Sequence, residues 1–119
     1  MTDDQTMNWE QTLFNIILHA GNARSKALAA AEEAEAGNYV EAEASLAEAE
    51  DEQAEAHKVH AKVIQMEAGG EQVPFSVLLI HSMDLLLLSW AEIDHTRQMI
   101  GLLKRVSNLE REVKKWQKK

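Results

Sequence analysis

Apolar positions recur at three- and four-residue spacing along most of the chain, the pattern of helices with one side turned inward. The first such stretch runs roughly from Asn8 to Ala36, where Trp9, Leu13, Ile16, Ala20, Ala23, Ala27, Ala30 and Ala34 form one continuous stripe. Gly37 suits a left-handed stop, and Asn38 with Glu41 three residues later has the spacing of a capping box, so a tight reversal is predicted there. A second helix is predicted from Tyr39 to Glu67, with Ala42, Ala49, Ala56 and Val63 seven residues apart beside Leu46 and His60. Small side chains at those positions let two backbones approach closely, so the first two helices are expected to be antiparallel neighbours. "AGGEQVP" ends the second helix, because Gly69 and Gly70 leave helical space easily and Pro74 fits a first helical turn. A third helix is predicted from near Phe75 to about Trp116. No period-two strand pattern and no phosphate-cradling glycine motif is present. The prediction is an all-α, antiparallel three-helix bundle, up-down-up, with a long third helix.

The third helix departs from the one-sided pattern. From Val77 to Leu88 nearly every position is apolar, so the hydrophobic surface goes round the cylinder. In a lone three-helix bundle one side of it would face water, and a helix apolar all round is a buried helix, so a second subunit is expected to cover the remainder. Ile80, Asp84, Leu87, Ala91 and Asp94 share one side of the wheel, with His81 about 60° from Asp84. Symmetry would bring copies of Asp84 together around an axis.

Composition narrows the reading. The 119 residues suit a single domain spanning 1–119, with 1–7 expected to be a flexible terminus and 110–119 a basic helical extension. There is no cysteine, which removes disulfides, thiolate zinc sites and thiol nucleophiles, and fits a reducing compartment. The start, "MTDDQTMNWEQT", lacks the basic and apolar regions of a secretory signal, and the run around His81 is too short and too interrupted to span a bilayer, so a cytoplasmic protein without membrane insertion is expected. The formal net charge of -8 is uneven: ten acids and no Lys or Arg lie between Glu32 and Glu55, and seven of the twelve basic residues follow Leu103. An acidic hairpin speaks against nucleic acid as a partner; the basic tail taken alone points the other way, but its plainer reading is a solvated helix end whose lysines complement the macrodipole.

Two residues carry the candidate chemistry, and each has a plainer reading. Copies of Asp84 facing one another in a dry interface repel unless they are protonated, hydrated or neutralised by a cation. Oxygen-only ligation favours magnesium or calcium over zinc, while a polar residue that merely fixes oligomer register fits the pattern nearly as well. His81 is either a satisfied core histidine or a nucleophile able to take a phosphoryl group and pass it on. Of the other candidates, His57 and His60 are read as an exposed face, His19 as boundary packing and Arg24 as half of a surface ion pair. His95 lies about 21 Å along the helix from His81, too far to share its chemistry. Asp94 is left unassigned, and the methionines and tryptophans are expected in the core or at its boundary.

The chain resembles the Enzyme IIA component of the lactose/cellobiose (N,N'-diacetylchitobiose) sugar phosphotransferase system over roughly Thr12 to Leu103. The landmarks are "IILHAGNARSKALAAAEEAEAGNYVEAEASLAEAE" at 16–50 and "AHKVHAKVIQMEAGGEQVPFSVLLIHSMD" at 56–84, in the order helix, glycine turn, helix, glycine-containing loop, helix. Family members carry a histidine followed three places later by an aspartate early in the third helix. The resemblance implies a homotrimer of three-helix bundles in which His81 receives a phosphoryl group from phospho-HPr and gives it to a cysteine of the cognate Enzyme IIB, which serves a membrane IIC component. It implies that Asp84 of three chains holds one Mg2+ on the trimer axis, and that no IIB domain is fused within this cysteine-free chain. After the histidine many relatives read alanine, glutamine, aspartate, histidine, whereas this chain has Ser82, Met83, Asp84 and Leu85. The competing class is a helical adaptor or regulator that keeps the fold while His81 is merely packed.

Overall fold

A computed structural model describes residues 8–118, and the terminus expected to be flexible lies outside the described residues. Three helices account for almost all of it: α1 (Trp9–Glu35), α2 (Tyr39–Ala68) and α3 (Val77–Gln117). They form the up-down-up arrangement read from the sequence, and among the described residues there is no strand.

Each boundary has a local cause. Asn8 caps α1, its side-chain oxygen accepting from the Gln11 amide at 3.1 Å. Gly37 adopts φ 85, which lets its own amide reach Ala34 O at 3.0 Å and the Asn38 amide reach Glu33 O at 2.8 Å. The same paired bonds close α2, where Gly70 at φ 97 donates to Glu67 O and Glu71 donates to Met66 O, both at 3.0 Å. The capping box at Asn38 does not form. Asn38 belongs to the turn that ends α1, and its amide is drawn back to Glu33 Oε2 at 2.9 Å instead of capping α2. The start of α3 also differs from the expected Phe75: Ser76 Oγ accepts from the Leu79 amide at 3.1 Å, so the helix begins at Val77 and Pro74 stays in the loop.

The core is narrow because its side chains are small. Along α1 the buried positions are Leu13, Ile16 and then alanines 20, 23, 27, 30 and 34, facing Ala42, Leu46, Ala49 and Ala56 of α2. α1 packs closely on both other helices, whereas α2 and α3 touch each other much less. The face that α3 turns inward is Ser82, Leu86, Ser89, Ile93, Thr96 and Ile100, half of it polar. Those hydroxyls are satisfied: Ser82 donates to Leu79 O at 2.8 Å and Thr96 donates across to Ala27 O at 3.4 Å. The Ser89 hydroxyl sits between Leu86 O and Gln53 Oε1, and Gln53 Nε2 donates to Leu86 O at 3.3 Å. Gln53 is buried at this joint, which makes it the polar lock between α2 and α3.

Tyr39, the first residue of α2, reaches the far end of α3, its hydroxyl lying 3.0 Å from Leu103 O and 2.6 Å from Ser107 Oγ. Ion pairs draw on the acidic hairpin from both sides: Lys26 with Glu48 at 2.6 Å, Arg97 with Glu50 at 2.8 Å and Lys104 with Glu43 at 2.5 Å. These pairs are solvent-exposed and screened by water, so each contributes little.

Candidate functional site

The side of α3 turned away from the bundle carries His81 and Asp84. Ser76 starts the helix and buried Ser82 and Leu86 seat its first turns, which leaves the positions between them facing outward. His81 is exposed and so is Asp84, one turn further along, about 4.5 Å of helix rise. Neither makes a hydrogen bond or ion pair with any of the described residues. The imidazole is therefore open to an approaching group, which removes the reading of His81 as a packed core residue within a single chain.

Around these two polar groups the surface is apolar. Ile80 is 44% exposed and Leu87 64%, with Val77, Met83 and Leu88 exposed beside them. The expectation that one side of α3 would be left to water in a lone bundle is met residue by residue. A carboxylate without a counter-charge in the middle of such a face is stable in water, and costly once a neighbour excludes that water.

No three His, Cys, Asp or Glu side chains converge on a metal among the described residues of one chain. Asp84 supplies a single carboxylate, so a metal site here requires copies of the chain. The donor chemistry suits a hard divalent cation: oxygen only, with no thiolate, on a face whose apolar rim would exclude water.

The three residues beside His81 and Asp84 that the resemblance singles out, Ser82, Met83 and Leu85, have distinct surroundings. Ser82 is fully buried against Leu79 O, Met83 is exposed, and Leu85 is half-buried in the apolar cluster formed with Leu13, Ile16 and Leu86.

The remaining histidines separate from His81. His19 Nδ1 lies 2.6 Å from Glu52 Oε2, at the edge of a groove of about 510 Å3 between α1 and α2 that Lys26, Glu48 and Asp51 also line. His57 is exposed and stacks edge-on against Trp90, ring centroids 5.5 Å apart, in a second groove between α2 and α3. His95 is exposed as well. His81 lines neither groove. Arg24 makes no ion pair among the described residues, so the surface pair expected of it is absent, while Asp94 is held by Arg97 at 3.1 Å. Of the tryptophans, Trp9 is half-buried at the boundary, as expected, whereas Trp90 and Trp116 are exposed, because the alanine-lined interior has no room for an indole.

Partial burial, followed by the nearby His57 charge, lowers the His60 pKa from its ordinary 6.5. The folded chain therefore binds fewer protons there than the unfolded chain does. Its contribution is intact above pH 6.5 and is lost as pH falls from 6.5 through the lowered value. We expect His60→Gln to flatten the decline of Tm over that acid range. An identical Tm profile for the variant and the parent chain would contradict this.

Sequence reasoning passed over Gln53, Ser89 and Tyr39, which set the position of α3. One signal was available: Ser82, Ser89 and Thr96 are seven residues apart, the spacing of a helix face, but their polarity removes them from any hydrophobic stripe.

Comparison with known proteins agrees with this architecture. The sequence profile of the family described as "PTS system, Lactose/Cellobiose specific IIA subunit" matches residues 11–104. The oligo-β-mannoside-specific EIIA component of Bacillus subtilis is 39% identical over 95 residues, covering 80% of this chain and 86% of that protein. The lactose-specific EIIA component of Lacticaseibacillus casei is 34% identical over 97 residues, covering 82% of this chain and 87% of the relative. Among solved structures, the cellobiose-specific enzyme IIA of Bacillus anthracis superposes with a TM-score of 0.84 at 34% identity, covering 90% of this chain and 98% of that one. The IIA(Chitobiose)–HPr complex of the Escherichia coli phosphotransferase system gives 0.74 at 27% identity, covering 86% and 99%. With a profile match over most of its length, and bundles of the same kind behind it, this chain belongs to the lactose/cellobiose-specific IIA family of the phosphotransferase system.

Proposed function

We propose that this chain is the phosphoryl carrier of a sugar phosphotransferase system in the cytoplasm, with His81 as the residue that is phosphorylated. The observation that carries the proposal is the exposed His81 ring, without a partner among the described residues, on the outer side of α3 in a family whose members are IIA components. A neutral imidazole has one ring nitrogen with a free lone pair. In the first step that nitrogen forms a bond to phosphorus as the bond between phosphorus and HPr breaks, and HPr leaves without its phosphoryl group. In the second, a thiolate of the cognate Enzyme IIB takes the phosphoryl group, the P–N bond of His81 breaks, and the ring returns to its starting state. Transfer of this kind needs positioning and charge stabilisation more than enclosure, which is consistent with a reactive residue outside the grooves. A IIA(Chitobiose)–HPr complex among the structural neighbours supports HPr as the donor. The acceptor's sugar belongs to the β-linked disaccharide class, and the membrane IIC component is reached only through IIB.

The working form is a homotrimer in which the outer faces of three α3 helices meet. Asp84 of each chain would then contribute one carboxylate to a shared Mg2+, whose charge offsets the repulsion among the three. The apolar rim of Ile80 and Leu87 supplies the burial.

Incubation with phosphoenolpyruvate, Enzyme I and HPr tests the carrier reading. Acid-labile, base-stable phosphate on the intact chain is expected, and no label under conditions that phosphorylate HPr would leave the adaptor reading in its place. Asp84→Leu tests the metal separately: the variant should remain trimeric and lose its divalent ion, since apolar packing replaces the carboxylates that would hold it. A folded Asp84→Leu trimer with undiminished metal content would remove the ion from Asp84.

A further inference from the structure

The family profile ends at residue 104, but α3 continues to Gln117. That extra stretch is about 20 Å of helix, at 1.5 Å per residue. Beyond Ser107 every described residue is exposed. As the continuation of a packed helix the stretch needs no nucleus of its own, but its last turns have only their backbone bonds to hold them unless a side is covered.

A packed side is nevertheless written into it. Met99, Leu102, Val106, Leu109, Val113 and Trp116 follow one another at alternating spacings of three and four. All are exposed, Leu102 by 60%, Leu109 by 65% and Val113 by 54%. This is the a and d pattern of a coiled coil, with Val106 and Val113 at a and Leu102, Leu109 and Trp116 at d. In that register Arg105 falls at g and Glu110 at the following e, the two positions that meet across a parallel pair. Arg105 and Glu110 have no ion pair among the described residues of their own chain, so each is available to a copy. The stripe also continues the outer face already described: at 100° per residue, Leu102, Leu109 and Trp116 lie within about 40° of Asp84.

We propose that the end of α3 binds copies of itself as a parallel, in-register coiled coil, with Arg105 of one chain paired to Glu110 of the next. Copies that meet at Asp84 around a rotation axis run parallel, and their helix ends meet along the same axis. The number of strands rests on the trimer proposed above, since valine at a with leucine at d would by itself favour two. The pairing is independent of the chemistry at His81. Its effect is to hold the assembly together at concentrations where the family-matched body alone would separate.

Full-length variants test it, because Leu102, Leu109 and Val113 are exposed and their exchange leaves the bundle core untouched. Leu109→Glu with Val113→Glu should raise the concentration at which the assembly dissociates in sedimentation by at least about tenfold, the size expected when charges are buried in a coiled-coil seam. Arg105→Glu should weaken assembly, and adding Glu110→Arg should restore it. The parent chain has no cysteine, so Leu102→Cys and Val113→Cys, made separately, report orientation. A short thiol cross-linker should join copies at both positions, because only parallel, in-register helices align two sites about 16 Å apart along the axis. Assembly unchanged in the double glutamate variant overturns the proposal, as does cross-linking at one position only, or a parent chain that stays monomeric. Phosphate labelling of the same variants, measured at concentrations where each is still assembled, should be preserved; a tail-insensitive trimer that labels normally sinks only this inference, and a tail-dependent one that never labels sinks only the carrier.

Discussion

Exchange of His81 for alanine is expected to reduce phosphate incorporation from phosphoenolpyruvate, Enzyme I and HPr by at least about a thousandfold, to background, while leaving the fold intact. The nucleophile of a covalent relay has no substitute: without the ring nitrogen there is nowhere for the phosphoryl group to rest. The exposed side chain makes no hydrogen bond among the described residues, so its removal opens no cavity and strands no buried polar group. Stability should therefore stay within about 0.5 kcal/mol of the parent chain. His81→Gln is the matched control, keeping size and polarity without a nucleophilic nitrogen, and it should be equally silent. Because His19, His57, His60 and His95 remain in both variants, persistent acid-labile label in either one would move the phosphorylated residue elsewhere.

The largest stability effect is expected from the alanines. Ala49 is fully buried where α2 meets α1, opposite a run of alanines that includes Ala23, Ala27 and Ala30. Backbones packed this closely have no space for three more carbons, and a leucine must push α1 and α2 apart along a shared ridge. Ala49→Leu should cost about 1–3 kcal/mol or more. In a domain of this size that lowers Tm by roughly 10 °C. Ala47, exposed on the same helix, gives the comparison: Ala47→Leu should change Tm little. Equal Tm values for the Ala49 and Ala47 variants would show that the alanine seam is not the tight contact described here.

Much of this architecture is readable from the sequence because helix physics is local. Gly37 announces the first turn through the φ it alone adopts cheaply, and the alanine stripe of α1 shows its buried side by spacing alone. Local signals mislead where two devices compete for one residue. Asn38 has the spacing to cap α2, yet it sits in the turn that closes α1 and is used there. Ser76, inconspicuous beside Pro74, sets the start of α3 because a side-chain acceptor for an open amide outweighs a ring that merely tolerates the first turn. The inner face of α3 is harder still to see. Ser82, Ser89 and Thr96 are buried for their small size and satisfied by carbonyls, and hydropathy weighs neither property. At the candidate site, periodicity places His81 and Asp84 side by side and predicts a deserted apolar flank. It does not distinguish a phosphoryl acceptor from an idle imidazole, since nothing in the spacing of a helix encodes the chemistry of what will approach it.

The bond from Tyr39 to the far end of α3 bears on where that imidazole stands. Leu103 is 22 residues beyond His81, about 33 Å along the helix. A slip of α3 by a single turn, about 5.4 Å, would draw both Leu103 O and Ser107 Oγ out of reach of the phenol. One hydroxyl thus acts as a depth gauge for the other end of the bundle, fixing the height at which His81 stands against α1 and α2.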